Sequence, residues 1–118
     1  MKIKDIQGLL EAKLVVDGGN MDLDIHYACG ADMMSDVLAY LHEHSILLTG
    51  LCNPQVVRTA EMMDIECIVF VRGKQPDENM KSMAMERNLT LMVSEYRMFT
   101  ACGKLYEQGM RGGDVRGR

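Results

Sequence analysis

Ile46-Leu47-Leu48-Thr49-Gly50-Leu51-Cys52-Asn53-Pro54 and, further on, Cys67-Ile68-Val69-Phe70-Val71 are the stretches that decide the fold of this chain. The second is apolar at every position. An alternating strand has one wet face, so a strand without alternation is covered on both, as in parallel sheets. The first stretch ends on the turn Thr49-Gly50, and Pro54 stands where the first turn of a helix needs no amide hydrogen. Between the two, Val56, Val57, Ala60 and Met63 recur at helical spacing. The unit is strand, helix, strand, and its short loops call for a right-handed crossover to a parallel neighbour.

The same pattern extends both ways along the chain. Upstream, Leu23 to Cys29 reads as a strand, and Asp32 as the cap of a helix with Met34, Val37, Leu38 and Leu41 on its inner face. Downstream, Arg72-Gly73-Lys74-Gln75 is a loop, and Pro76-Asp77-Glu78 opens a helix whose core face is Met80, Met83 and Ala84. Asn88 is a left-handed stop, Leu89 to Val93 a strand, and Ser94 the cap of a last helix that buries Met98, Cys102 and Leu105 before Gly109 ends it. Ahead of these, Ile6, Leu9 and Leu10 make a helix of Lys4 to Glu11, and Leu14-Val15-Val16 is a short strand. Asp17-Gly18-Gly19-Asn20 then turns the chain into the strand at Leu23. The expected architecture is α/β, a mainly parallel sheet of about five strands with helices on both faces. One domain is expected over residues 1–110, with a flexible basic tail over residues 111–118 that carries Arg111, Arg116 and Arg118.

With 118 residues and 47% hydrophobic composition the chain has the size of one domain and enough apolar side chains for a core. A formal charge of -4 argues against a nucleic-acid surface, which needs clustered Lys and Arg. No apolar run approaches the ~20 residues that cross a bilayer, and the start Met1-Lys2-Ile3-Lys4-Asp5 lacks the apolar stretch of a signal peptide. A soluble, cytoplasmic protein is expected. The four cysteines, Cys29, Cys52, Cys67 and Cys102, form no Cys-x-x-Cys pair, so neither a zinc ribbon nor a dithiol motif is present.

Ligands of open parallel sheets bind beyond the carboxyl ends of the strands, where loops and helix starts meet. That edge gathers Gly30-Ala31-Asp32, Thr49, Gly50 and Asn53, Arg72-Gly73-Lys74, and Ser94-Glu95-Tyr96. Glycines let backbone amides approach a ligand, helix starts favour anions, and Arg72 and Lys74 add positive charge. Thr49, Gly50, Asn53, Arg72, Gly73 and Lys74 are therefore the expected contacts for a phosphate or carboxylate group. Tight turns alone account for the same residues. Gly73-Lys74 is not a phosphate loop, since Ile68 stands where the motif needs its first glycine and Gln75 where it needs Ser or Thr. His26, His42 and His44 read as structural, with no metal site expected. Cys52 precedes a helix start, which lowers a thiol pKa, but no histidine is placed near it as a base. No cofactor follows from these residues, and no catalytic constellation is expected.

The segments Gly30-Ala31-Asp32-Met33-Met34-Ser35, Leu48-Thr49-Gly50, Asn53-Pro54-Gln55-Val56-Val57-Arg58-Thr59-Ala60, Ile68-Val69-Phe70-Val71-Arg72-Gly73 and Ser94 through Tyr106 resemble the DRTGG domain, stand-alone clostridial-type members included. That domain is similar to the amino-terminal domain of HPr kinase/phosphorylase and accompanies CBS domains and phosphotransacetylases. The resemblance, from about Asp24 to Met110, implies an α/β/α domain, a homodimer, and for stand-alone members a setting near iron-only hydrogenase and electron-transfer genes. Where other members carry an Asp-Arg pair after the Thr-Gly turn, this chain has Cys52 and Asn53, and Val71-Arg72-Gly73 replaces their second Thr-Gly-Gly. The functional expectation is a non-catalytic regulatory module that binds a small anionic ligand, a nucleotide or phosphorylated metabolite. The alternative is an interaction subunit of a redox or hydrogenase-type complex, and Cys52-based chemistry is the third reading.

Overall fold

Among residues 1–40 and 43–113, which the computed structural model describes, the chain forms α1 (Ile3–Leu9), β1 (Lys13–Val16), β2 (Tyr27–Gly30), α2 (Met34–Tyr40), β3 (Ser45–Thr49), α3 (Pro54–Met62), β4 (Cys67–Phe70), α4 (Glu78–Glu86), β5 (Thr90–Val93) and α5 (Met98–Glu107). The five strands make one sheet in the order β1-β5-β4-β3-β2. β2 to β5 run parallel in sequence order, and β1 joins β5 antiparallel with an irregularity between Leu14 and Val16. The α/β architecture and mainly parallel sheet match the expectation.

Because successive parallel strands are neighbours, the right-handed crossovers through α2, α3 and α4 all fall on one face. Val37, Val56, Val57, Ala60, Met80 and Ala84 of those helices pack there on Leu47, Ile68, Phe70, Leu91 and Val93. The other face is covered by the two ends of the chain. Ile3 and Ile6 of α1 and Ala101 and Leu105 of α5 close over Ile46, Leu48, Cys67, Val69 and Met92. The middle strands thus alternate not between core and water but between two cores.

Local chemistry sets the element ends. Pro54 occupies the first turn of α3, and the Asn53 side chain accepts from the amide of Val56 at 3.3 Å. Asp77 does the same for α4, accepting from Met80 at 2.8 Å, so Pro76 stands one residue outside the helix rather than within it. Asn88 takes the left-handed backbone expected of a stop, at φ 55°. Leu38, expected on the inner face of α2, is instead 46% exposed, because a helix of seven residues aims Val37 at the sheet and its neighbour past it. Leu41 and His42 lie outside the described residues. α5 presents Ala101 and Leu105 as its fully buried positions, while Met98 and Cys102 are half-buried along its flank.

The largest departure is between β1 and β2. Residues 17–26 do not turn into an adjacent strand at Leu23, since β2 begins at Tyr27 and lies at the opposite edge of the sheet from β1. The segment crosses the amino-terminal rim of the sheet and is tied down at each step. Gly18 donates to Thr90 Oγ1, Asn20 Nδ2 to the carbonyl of Glu66, and His26 to the carbonyl of His44, at 3.0, 2.9 and 3.0 Å. These bonds reach the starts of β5, β4 and β3 in turn. They satisfy backbone groups that would otherwise be orphaned under a chain with no ladder of its own.

Beyond α5, Arg111 lies where the basic tail was expected to start. Its carbonyl accepts from Ala28 at 3.0 Å along the open edge of β2, and its guanidinium sits 4.1 Å from the centre of the Tyr106 ring. That contact covers an edge that would otherwise offer free amides. Residues 114–118, with Arg116 and Arg118, lie outside the described residues. No described helix is long and apolar enough to cross a membrane.

Two glycines give opposite expectations. A Cβ at Gly18 would lie 2.7 Å from the carbonyl carbon of Asn88, whereas one at Gly103, in the middle of α5, would meet nothing within 4 Å. Gly18→Ala is expected to destabilise the fold by about 1–3 kcal/mol through forced backbone shifts. Gly103→Ala is expected to stabilise it by roughly 0.5–1 kcal/mol through helix propensity. Urea denaturation of both variants checks the pair.

Candidate functional site

The carboxyl edge of the sheet is organised by Asp32. Gly30 pairs with Leu48 in the ladder, so two residues further along each chain Asp32 comes beside Gly50. One carboxylate oxygen of Asp32 accepts from the Gly50 amide at 2.7 Å and from the Thr49 hydroxyl at 3.3 Å. Thr49 is fully buried, and its hydroxyl also accepts from the Leu51 amide at 3.1 Å. The expected role of Asp32 as a helix cap is therefore replaced by a clamp between the ends of β2 and β3. A buried hydroxyl and a buried amide cost more unpaired than an exposed helix start does, and a charged acceptor makes the stronger bonds.

The turn after β4 is left-handed at two consecutive residues, Arg72 at φ 58° and Gly73 at φ 67°. Its amides do not face outwards. Arg72 donates to the carbonyl of Tyr96 and Gly73 to that of Ser94, both at 2.9 Å, so this turn is stitched to the one after β5. The turns also need their glycines for a reason that composition alone does not reveal. A Cβ at Gly50 would collide with the guanidinium of Arg72, and one at Gly73 with the carboxylate of Glu95. The glycines clear space for one cation and one anion that lie flat across them.

Asn53 is committed as the cap of α3, and Thr49 and Gly50 as partners of Asp32. Of the six expected contacts, Arg72 and Lys74 remain as exposed side chains, and among the described residues neither has an ion pair. Their backbone lies beside the place where the helices after neighbouring parallel strands leave to opposite faces, α4 after β4 and α5 after β5, while the Arg72 guanidinium reaches across Gly50 at the end of β3. Such a divergence opens a crevice at the carboxyl end of a sheet. Ser94, expected to cap α5, is fully buried. Its hydroxyl donates to the carbonyl of Leu10 at 2.9 Å and accepts from the Tyr96 amide at 3.3 Å, while α5 starts only at Met98.

The remaining candidates disperse. The Cys52 thiol is pushed up rather than down, first by partial burial and then by the charge of Asp77, with Lys74 opposing. Burial likewise pushes up Cys67 and Cys102. His26 and His44 stand at the amino-terminal rim, across the sheet from Cys52, and His42 lies outside the described residues. Clefts of about 510 and 190 Å³ also open at that rim, lined by Asp17 and Asn20 to Leu23 and by Glu61, Glu66 and Arg87, and contain none of the expected contacts. Asp32 was visible on this edge in the sequence only as a helix cap, and Glu95 without a role. Parallel register alone would have brought Asp32 to Gly50, whereas nothing in the sequence brings Glu95 over Gly73.

Comparison with known proteins agrees with this architecture. The family model of the DRTGG domain matches residues 5–107. No curated protein sequence matches the chain. Among solved structures it is similar to the CBS and DRTGG domains of the regulatory region of Clostridium perfringens pyrophosphatase, complexed with the activator diadenosine tetraphosphate. The TM-score is 0.76 at 15% sequence identity, over 88% of this chain and 45% of that one. At that identity the likeness speaks to the fold, and the chain spans under half the length of its neighbour.

Two outcomes follow from the geometry. Asp32→Ala is expected to lower stability by about 1–3 kcal/mol, the cost of orphaning buried donors, and Asp32→Asn, which keeps an acceptor oxygen, by less. Denaturant midpoints check this. Cys52 is expected to alkylate with iodoacetamide more slowly at pH 7.5 than a free cysteine, because a raised pKa leaves less thiolate. Peptide mass mapping over a pH series reads it, and acceleration below pH 8 would contradict the raised value.

Proposed function

The chain belongs to the DRTGG domain family, and from that premise we propose that it is a non-catalytic, cytoplasmic regulatory module that binds a small anionic ligand, a nucleotide or phosphorylated metabolite, at the carboxyl edge of its sheet. The observation that carries this reading is the pair of exposed cations on the turn after β4, with the Arg72 guanidinium lying across Gly50. Arg72 and Lys74 are held on a turn that is bonded to Ser94 and Tyr96, and among the described residues neither makes an ion pair. A guanidinium presents a fixed fork of donors suited to phosphate, and an ammonium adds a second positive point. Thr49, Gly50, Asn53 and Gly73 serve in this reading as the frame that aims the cations. The fold of the neighbour, a regulatory region solved with a dinucleotide polyphosphate activator, supports the same class of ligand. The raised thiol of Cys52 speaks against nucleophilic chemistry there.

A second reading, an interaction subunit that forms a homodimer or joins a redox complex, is favoured by α5. Phe99 is 90% and Tyr106 55% exposed, two turns apart on one helix face. Light scattering after gel filtration separates the two. A monomeric wild type, or a dimer that Phe99→Ser leaves intact, removes a homodimer on this face, and capture of no electron-transfer protein from native extract removes the redox-complex arm.

For the first, a thermal-shift panel of adenine and guanine nucleotides, dinucleotide polyphosphates and sugar phosphates is the direct test. A ligand present at 100 times its Kd contributes about 2.7 kcal/mol, enough to move the midpoint by several degrees. The shift is expected to vanish in Arg72→Ala/Lys74→Ala while the unliganded midpoint stays put, since both side chains are exposed. No shift with any compound, or a full shift in the double variant, would rule out this site.

A further inference from the structure

The segment that crosses the amino-terminal rim ends where two imidazoles meet. Tyr27 pairs with Ser45 in the parallel ladder, so His26 and His44 stand at matched register one step earlier, joined by the bond from the His26 amide to the His44 carbonyl at 3.0 Å. Side chains at matched register on neighbouring strands leave on the same side. Here the two rings lie with centres 5.8 Å apart and planes at 82°, and both residues are exposed. We propose that His26 and His44 form a two-imidazole site for a borderline divalent transition cation of the Zn²⁺ type, with water in the remaining positions.

The spacing fits. An ion bound at ~2.0–2.1 Å by one nitrogen of each ring puts the ring centres ~5 Å apart at a tetrahedral angle and ~6 Å as that angle opens. The observed separation falls inside that span, and the edge-to-face rings would turn about their side-chain bonds to aim one nitrogen each at the ion. Imidazole nitrogen selects Zn²⁺, Cu²⁺ or Ni²⁺ over Mg²⁺ and Ca²⁺, which take oxygen. The surroundings are mixed in charge. Asp24, two residues before His26, brings a carboxylate that pairs at 2.9 Å with the terminal ammonium of Met1, and Lys2 and His26 also act on it, while Glu43 adjoins His44. The register holds both ligands in place before any ion arrives, which reduces the ordering cost of binding. This site stands on the opposite rim from the proposed anion site and does not depend on it.

Calorimetric titration of the tag-free full chain with ZnCl₂ tests the inference, with MgCl₂ as the hard-cation control. His44 has a left-handed backbone at φ 58°, so the variant there is His44→Asn, which tolerates that conformation, beside His26→Ala. One Zn²⁺ per chain is expected, with affinity falling at least ~10-fold in each variant, since loss even of an outer partner costs that much at metal sites. Mg²⁺ is expected to give no binding, and His42→Ala to leave Zn²⁺ affinity unchanged. Absence of Zn²⁺ binding, full affinity in either variant, equal binding of Mg²⁺, or loss of binding in His42→Ala would each overturn the two-imidazole assignment. Far-UV circular dichroism of the variants confirms that they fold.

Discussion

The double burial of β4 sets the terms for the rest of the molecule. Cys67, Ile68, Val69 and Phe70 are all shut from water, with Ile68 and Phe70 facing one core and Cys67 and Val69 the other. A strand in that position cannot end in a hairpin without exposing a face, so the chain returns over the sheet through helices. Handedness then places α2, α3 and α4 together, and the second face falls to whatever the two ends of the chain provide. That division explains why α1 and α5, farthest apart in sequence, share one core.

The same constraint fixes the chemistry of the two rims. At the carboxyl rim, turn amides and hydroxyls are near enough to one another to be satisfied internally, and Asp32, Ser94 and the Arg72-Gly73 turn do so. At these three points the exposed groups left over are charged side chains. This differs from a glycine-rich phosphate cradle, where the amides themselves are the site. Cys52 and Asn53 fit this arrangement, since Asn53 works as a helix cap and Cys52 as a half-buried neighbour of it. At the amino rim, by contrast, the crossing segment reaches the strand starts through the Gly18 and His26 amides and the Asn20 side chain, and the exposed rings of His26 and of His44, just before β3, face each other.

Much of the architecture was legible in the residues. The unbroken apolar run at β4, the helix starts at Pro54 and at Pro76-Asp77-Glu78, and the stop at Asn88 each act within a few residues of chain, and local sequence carries local energetics. Arg72 and Lys74 could be placed on the carboxyl rim from the sequence because both lie on a turn whose position follows from the strand before it. Asp32 and Ser94 were misread as caps because a short polar side chain before a helix has that role by default, and only competition from a distant buried donor or acceptor overrides it. Leu23 to Cys29 was read as a strand for a similar reason, its apolar content being real while its partner is α1 and the rim.

By itself, then, the sequence determined the elements, their parallel pairing and the rim on which ligand chemistry is expected, because strand burial and helix capping are short-range and period-bound. Tertiary structure alone decided what each polar group on that rim bonds to, why Gly50 and Gly73 carry no side chain, how residues 17–26 reach the far edge, and that His26 meets His44. Those outcomes depend on contacts between segments far apart in the chain, and the free energy of a buried polar group belongs to the pair that satisfies it, which no single stretch of residues encodes.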